Sequence, residues 1–153
     1  MKEFIYKTEQ LLPVNMQTAW EFFSSPHNLA VLTPDDMDFR VLTKTESRIY
    51  NDMIIDYTVK PLLHIPLRWR TKILDVQENV EFTDIQLRGP FNLWKHVHQF
   101  IQEKDGVLVK DTVYYRLPFG FIGRIAHSLF VRRRIEGIFV YRKTVLERLF
   151  IKN

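Results

Sequence analysis

Apolar and polar residues alternate along most of this chain, in separate runs with clear breaks between them. Residues 3–11 (EFIYKTEQL) set Phe4, Tyr6 and Thr8 on one face and Ile5, Lys7 and Glu9 on the other, which is the period of a strand. The same period returns at 37–45, 52–60, 67–77, 80–88, 92–103 and 107–117. It is strictest at 67–77, where Leu67, Trp69, Thr71 and Ile73 oppose Arg68, Arg70 and Lys72 on what reads as a solvated convex face. Glu78-Asn79, Gly89-Pro90 and Asp105-Gly106 mark the turns between later runs. Pro61 and Pro66 bracket an apolar link, Leu62 to Ile65, that reads either as a lid or as a bent edge.

Two stretches have a helical period instead. After Pro13, Asn15 can cap a short helix, MQTAWEFFS, whose stripe is Ala19, Trp20 and Phe23, read as core. Ser25-Pro26 ends it, and HNLAVLT forms a second short helix closed by Thr33-Pro34. After Pro118, residues 120–150 hold no proline, and Ile122, Ile125, Leu129, Ile135, Ile138, Val145, Leu146 and Leu149 recur at helical spacing. At 1.5 Å per residue, such a helix is about 45 Å long.

The predicted order is therefore one strand, two short helices, about six strands and one long helix. This is an α+β arrangement. Short turns make the sheet antiparallel, and a sheet of 6–7 strands with natural twist curls. The long helix can bury a broad apolar face only in the concavity. Where helix and sheet part, a cavity remains.

Composition narrows the class. With 153 residues, 46% hydrophobic, the chain can bury a substantial core, and residues 1–153 are expected to form a single domain. No repeat, linker or low-complexity segment interrupts it. The absence of cysteine removes disulfides, thiolate catalysis and Cys-ligated metals. The opening MKEFIYKTEQLL has no signal-like apolar run, so a cytoplasmic location is expected. A net charge of +4 is too small to imply nucleic-acid binding, and none is expected. The basic residues of the long helix (Arg124, Arg132, Arg133, Arg134, Arg142, Lys143, Arg148, Lys152) read as a solvated face, with weak anionic membrane contact as the alternative.

The chemistry concentrates between Phe82 and Gly120. Trp94, His96, His98 and Phe100 share one strand face. With Asp105-Gly106 as a two-residue loop, Phe100 pairs with Asp111, His98 with Val113 and His96 with Tyr115. With Gly89-Pro90-Phe91 as a three-residue loop, Asp84 pairs with His96 and Gln86 with Trp94. The candidate ligand-binding set is Phe82, Asp84, Gln86, Trp94, His96, His98, Phe100, Asp111 and Tyr115, joined by Tyr57 and Trp69 from neighbouring strands. The face carrying Trp94, His96 and His98 is assigned to the concave side, because the opposite face carries Lys95, Lys110 and Arg116.

Histidines beside carboxylates can orient a ligand, satisfy one another structurally, or move protons. The catalytic candidates are His96, His98, Asp84 and Asp111. Two histidines at i, i+2 match no recognised metal-site spacing, so no metal and no cofactor are expected.

This pattern resembles the START-like, or SRPBCC, superfamily with its helix-grip fold. The residues that carry the resemblance are Phe82-Thr83-Asp84, Gly89-Pro90-Phe91, Trp94, His96, His98, Phe100, Asp111, Val113, Tyr115, Pro118, Gly120, Phe139 and Tyr141-Arg142. Within the superfamily it is similar to bacterial polyketide cyclase/dehydrase-like, or "cell division inhibitor"-like, domains. The resemblance implies binding of a small hydrophobic molecule, such as a lipid, an isoprenoid or an aromatic polyketide, in an internal cavity. A cyclase or dehydratase using a His/Asp pair is the alternative. It identifies no protein partner and no oligomeric state.

Overall fold

The computed structural model describes residues 2–44 and 46–151. Seven strands form one antiparallel sheet: β1 (Phe4–Leu12), β2 (Arg40–Val41), β3 (Ile54–Val59), β4 (Leu67–Gln77), β5 (Glu81–Arg88), β6 (Leu93–Glu103) and β7 (Gly106–Arg116). The strand order is β1-β7-β6-β5-β4-β3-β2, so each strand after β2 lies beside its sequence neighbour and β1 returns to pair with β7. Register shifts at Arg70/Thr71 and Leu74/Gln77 bulge the β4–β5 pairing, and bulges of this kind bend a sheet.

Between β1 and β2 run helix α1 (Met16–Phe23), helix α2 (Asn28–Val31) and a single 3-10 turn at Asp35–Met37. Asn15 caps α1 as its residue type demands, its side-chain oxygen accepting from the Thr18 N–H at 2.8 Å. Ala19, Trp20 and Phe23 are the buried stripe of α1. Trp20 meets Phe82 and Phe100 edge-on, so α1 closes one end of the sheet. Among the described residues, which exclude Thr45, the predicted strand at 37–45 is reduced to Arg40–Val41, because the 3-10 turn and a left-handed Asp38 (φ 44) precede it.

The C-terminal segment is helical from Gly120 to Phe150, as α3 (Gly120–Ala126), a π turn (His127–Val131) and α4 (Arg132–Phe150). Most of the buried face belongs to α4. Ile135, Phe139, Arg142, Val145 and Leu146 are buried, whereas Ile122, Ile125, Leu129 and Leu149 are exposed, contrary to the stripe expected from spacing. The wide π turn explains the early part: it puts the residues before it out of phase with those after it. Among the described residues, no helix is long and apolar enough to cross a membrane.

The β6–β7 hairpin also differs from expectation. Glu103 pairs with Gly106, so the loop is Lys104-Asp105, and every partner shifts by two residues: Phe100 with Val109, His98 with Asp111 and His96 with Val113. Gly106 sits inside the strand for a steric reason. Its φ is 148°, and a side chain there would strike the backbone carbonyl of Leu12. Because the slip is two residues and not one, every side chain keeps its predicted face. Asp84 does pair with His96, as the second turn predicts.

Candidate functional site

Three adjacent strands and one helix converge under α4. β5 supplies Asp84, β6 supplies His96 and His98, β7 supplies Asp111, and α4 lowers Arg142 onto them. His96 Nε2 lies 2.8 Å from Asp111 Oδ1, and His98 Nε2 lies 2.8 Å from Asp84 Oδ2. The second nitrogens face the opposite carboxylates: His98 Nδ1 is 3.0 Å from Asp111 Oδ1, and His96 Nδ1 is 3.6 Å from Asp84 Oδ2. The two imidazoles lie 3.7 Å apart, Phe82 stacks on His98 at 4.2 Å, and Phe139 meets His96 edge-on. The observed pairing of His98 with Asp111 makes this square possible.

Burial and charge decide how the square titrates. Burial, together with the neighbouring His98 charge, pushes His96 down, so it is held neutral. Burial pushes His98 down as well, but the Asp111 and Asp84 carboxylates on its two nitrogens outweigh that and raise it. For Asp111, burial is overcome by the Arg142 guanidinium and both histidines, which hold it well below the usual carboxylate range. Asp84 is lowered too, burial again being outweighed, chiefly by its hydrogen bond with His98. Two carboxylates, one guanidinium and two imidazoles thus share the buried site, with the two imidazoles pushed in opposite directions.

One wall of the square opens on a cavity of about 210 Å³ between sheet, small helices and α4. Its lining is mostly apolar and aromatic, with Leu32, Tyr57, Trp69, Phe82, Trp94 and Ile138 prominent. Half-exposed Ser25, Leu29, Pro61 and Arg134, with exposed Leu62, set its mouth at the small helices and the β3–β4 loop. Arg134 ties that loop to α4 by donating to the Pro61 carbonyl at 2.8 Å, and it also pairs with Asp36. The Pro61–Pro66 link therefore borders the mouth, with Leu63 fully out in solvent at 85% exposure.

Of the residues singled out from sequence, Tyr57, Trp69, Phe82, Asp84, Trp94, His96 and His98 line the cavity. Phe100, Gln86, Asp111 and Tyr115 do not. Phe100 is packed into the core under α1. Gln86 clamps the Phe91 backbone through both ends of its amide. Tyr115 is buried and bonds His127 at 2.8 Å. Asp111 lies behind the histidines and orients them.

Arg142 is a site residue that sequence reasoning misses. Its place among eight basic residues reads as solvated, yet it is 7% exposed. The available signal is its position: three residues after Phe139 and four before Leu146, it falls on the buried stripe. Arg132 and Arg133, by contrast, are exposed as expected.

Asp84, His96 and His98 each offer a ligand atom within 4.8 Å of the others, a donor set of the kind zinc takes. A cation there would have to break the His98–Asp84 hydrogen bond and share the site with Arg142, so the fit is poor.

No protein-family model matches this chain, and no curated relative matches it. Solved structures do. The protein TTHA0849 from Thermus thermophilus superposes with a TM-score of 0.73 at 16% identity, over 95% of both chains. A nucleoside-diphosphate sugar epimerase from Corynebacterium glutamicum matches at 24% identity and a TM-score of 0.64, over 92% of this chain but 28% of its own. The di-domain ARO/CYC StfQ from the steffimycin biosynthetic pathway matches at 10% identity and a TM-score of 0.66, over 96% of this chain and 52% of its own. Likeness at such low identity establishes architecture and not activity, and that architecture is the helix-grip fold.

Proposed function

We propose that residues 1–153 act as one cytoplasmic domain that binds a small hydrophobic molecule in the cavity between the sheet and α4. The observation that carries this reading is an apolar cavity of about 210 Å³ with a single polar wall. Packing interiors rarely leave such space unfilled. Burial of apolar ligand surface, at about 25 cal/mol per Å² before the costs of association, would supply most of the affinity. Asp84, His96 and His98 would orient the ligand's polar group. Native mass spectrometry of the purified protein, with solvent extraction of its contents, tests this. A stoichiometric hydrophobic companion is expected. Failure of apolar probes to bind at micromolar concentration would count against the reading.

A second reading is a cyclase or dehydratase, favoured by one observation: His96 is held neutral with its ring against the cavity. A neutral imidazole can accept a proton, and Asp111 fixes its orientation. The StfQ likeness supports this only at the level of fold. The His96→Ala variant separates the two readings. A binding protein should lose about 1–3 kcal/mol of affinity. An enzyme should keep its ligand and lose about 10²- to 10⁴-fold in turnover.

A further inference from the structure

Arg142 has donors that the His–Asp square does not use. Its side chain lines the cavity and is 7% exposed. Nη2 comes within 3.3 Å of Asp111 Oδ1, but off the line of a hydrogen bond, and Nε has no acceptor among the described residues. Phe23 and Phe139 lie 5.1 and 5.8 Å from the guanidinium carbon. Ring faces stabilise the charge, but they do not accept hydrogen bonds as oxygen does. Buried donors without acceptors are rare in folded proteins and call for an explanation.

The chain itself shows what this edge of an arginine holds. On the outer face, Arg70 uses the same Nε and Nη2 to grip the Asp56 carboxylate at 2.7 and 2.9 Å. At Arg142 the matching acceptor is missing and the cavity stands beside it. Building on the ligand-binding reading, we infer that the molecule taken up is an apolar acid, its carboxylate held by the Nε–Nη2 edge of Arg142 and its body lying along Leu32, Tyr57, Trp69 and Ile138.

Charge balance sharpens the inference. The charged and titratable groups facing the site are Tyr57 from β3, Asp84 from β5, His96 and His98 from β6, Asp111 from β7, Arg142 from α4 and, at the mouth, Arg134 paired with Asp36. A carboxylate adds one buried negative charge, and His96, pushed towards its neutral form, offers a place for a compensating proton. Its Nε2–H already donates to Asp111, so Nδ1 takes the proton, 3.6 Å from Asp84 Oδ2. Binding of an acid should therefore draw one proton from solution, whereas a neutral analogue should draw none.

Isothermal titration of the intact protein with naphthalene carboxylic acid and with naphthalene methanol, each in two buffers of different ionisation enthalpy, tests this. The acid should bind about tenfold or more tightly than the alcohol and take up about one proton. Acetate should not compete, because it lacks the apolar body. The Arg142→Lys variant, checked for folding by thermal melting, keeps the charge but loses the fork, and should lose most of the preference. Equal affinities, acid binding without proton uptake, or an undiminished preference in Arg142→Lys would overturn the inference and leave the cavity reading intact. Failure of both naphthalene probes to bind would overturn both.

Discussion

The sheet carries ion pairs on both faces, and their lengths are nearly the same. On the convex side Arg70 meets Asp56 at 2.7 Å and Lys72 meets Asp52 at 2.7 Å. On the concave side His96 meets Asp111 and His98 meets Asp84, both at 2.8 Å. Distance therefore does not separate the two groups; solvent does. The Arg70 and Asp52 side chains are 51% and 71% exposed, so water and salt already screen those charges. The His96 and Asp111 side chains are 9% and 6% exposed, where losing one partner strands the other. A set of charges held away from water at such cost is where function is to be sought.

The largest expected effect comes from removing the carboxylate that both histidines share. Asp111→Ala should destabilise the fold by about 3–5 kcal/mol, because Arg142 would be left as a buried unpaired cation and His96 Nε2 would lose its acceptor. Chemical denaturation measures it. A loss under about 1 kcal/mol would mean that the cluster is wet and that the contrast between the faces is false.

Next comes the pH profile. His96 is pushed below the ordinary imidazole value of 6.5, so as pH falls below that value the unfolded chain binds more protons and stability drops. His98 is raised above 6.5, so its contribution is complete below that value and is lost as pH rises through its folded pKa. Stability in the absence of ligand should therefore peak near the ordinary imidazole value and decline on both sides. Melting curves across that range check it, and a monotonic profile would show that one of the two assignments is reversed.

A smaller change is Asp84→Asn. It removes one of the two carboxylates that raise His98, so the His98 titration followed by NMR should move to lower pH. No movement would locate the raising charge elsewhere. The smallest effect belongs to the convex face: Asp56→Ala should cost less than about 1 kcal/mol and fade with added salt. A larger loss would show that the outer pairs are as structural as the inner ones.

Much of this architecture is written in local periodicity. The strands alternate because one face is buried, α1 begins where Asn15 can cap it, and β4 spans Leu67–Gln77 as its strict alternation demands. Which side chains share the concave face also follows from the strand period, and it is unaffected by the mistaken hairpin register because the slip is even.

The sequence by itself thus determined the order of elements and the face carrying His96 and His98. Period and turn chemistry are local, and they act within a few residues of their cause. What only the tertiary structure decided is which polar groups meet. The β6–β7 register placed His98 against Asp111 because Gly106 must pass close to the Leu12 carbonyl, a contact between residues far apart in the chain. Arg142 joined the site because α4 lies in the concavity, which turns a basic residue on the helix stripe inward beneath Phe23 and Phe139. Burial and pairing are properties of the packed whole, and they make a cluster of common residues into a site.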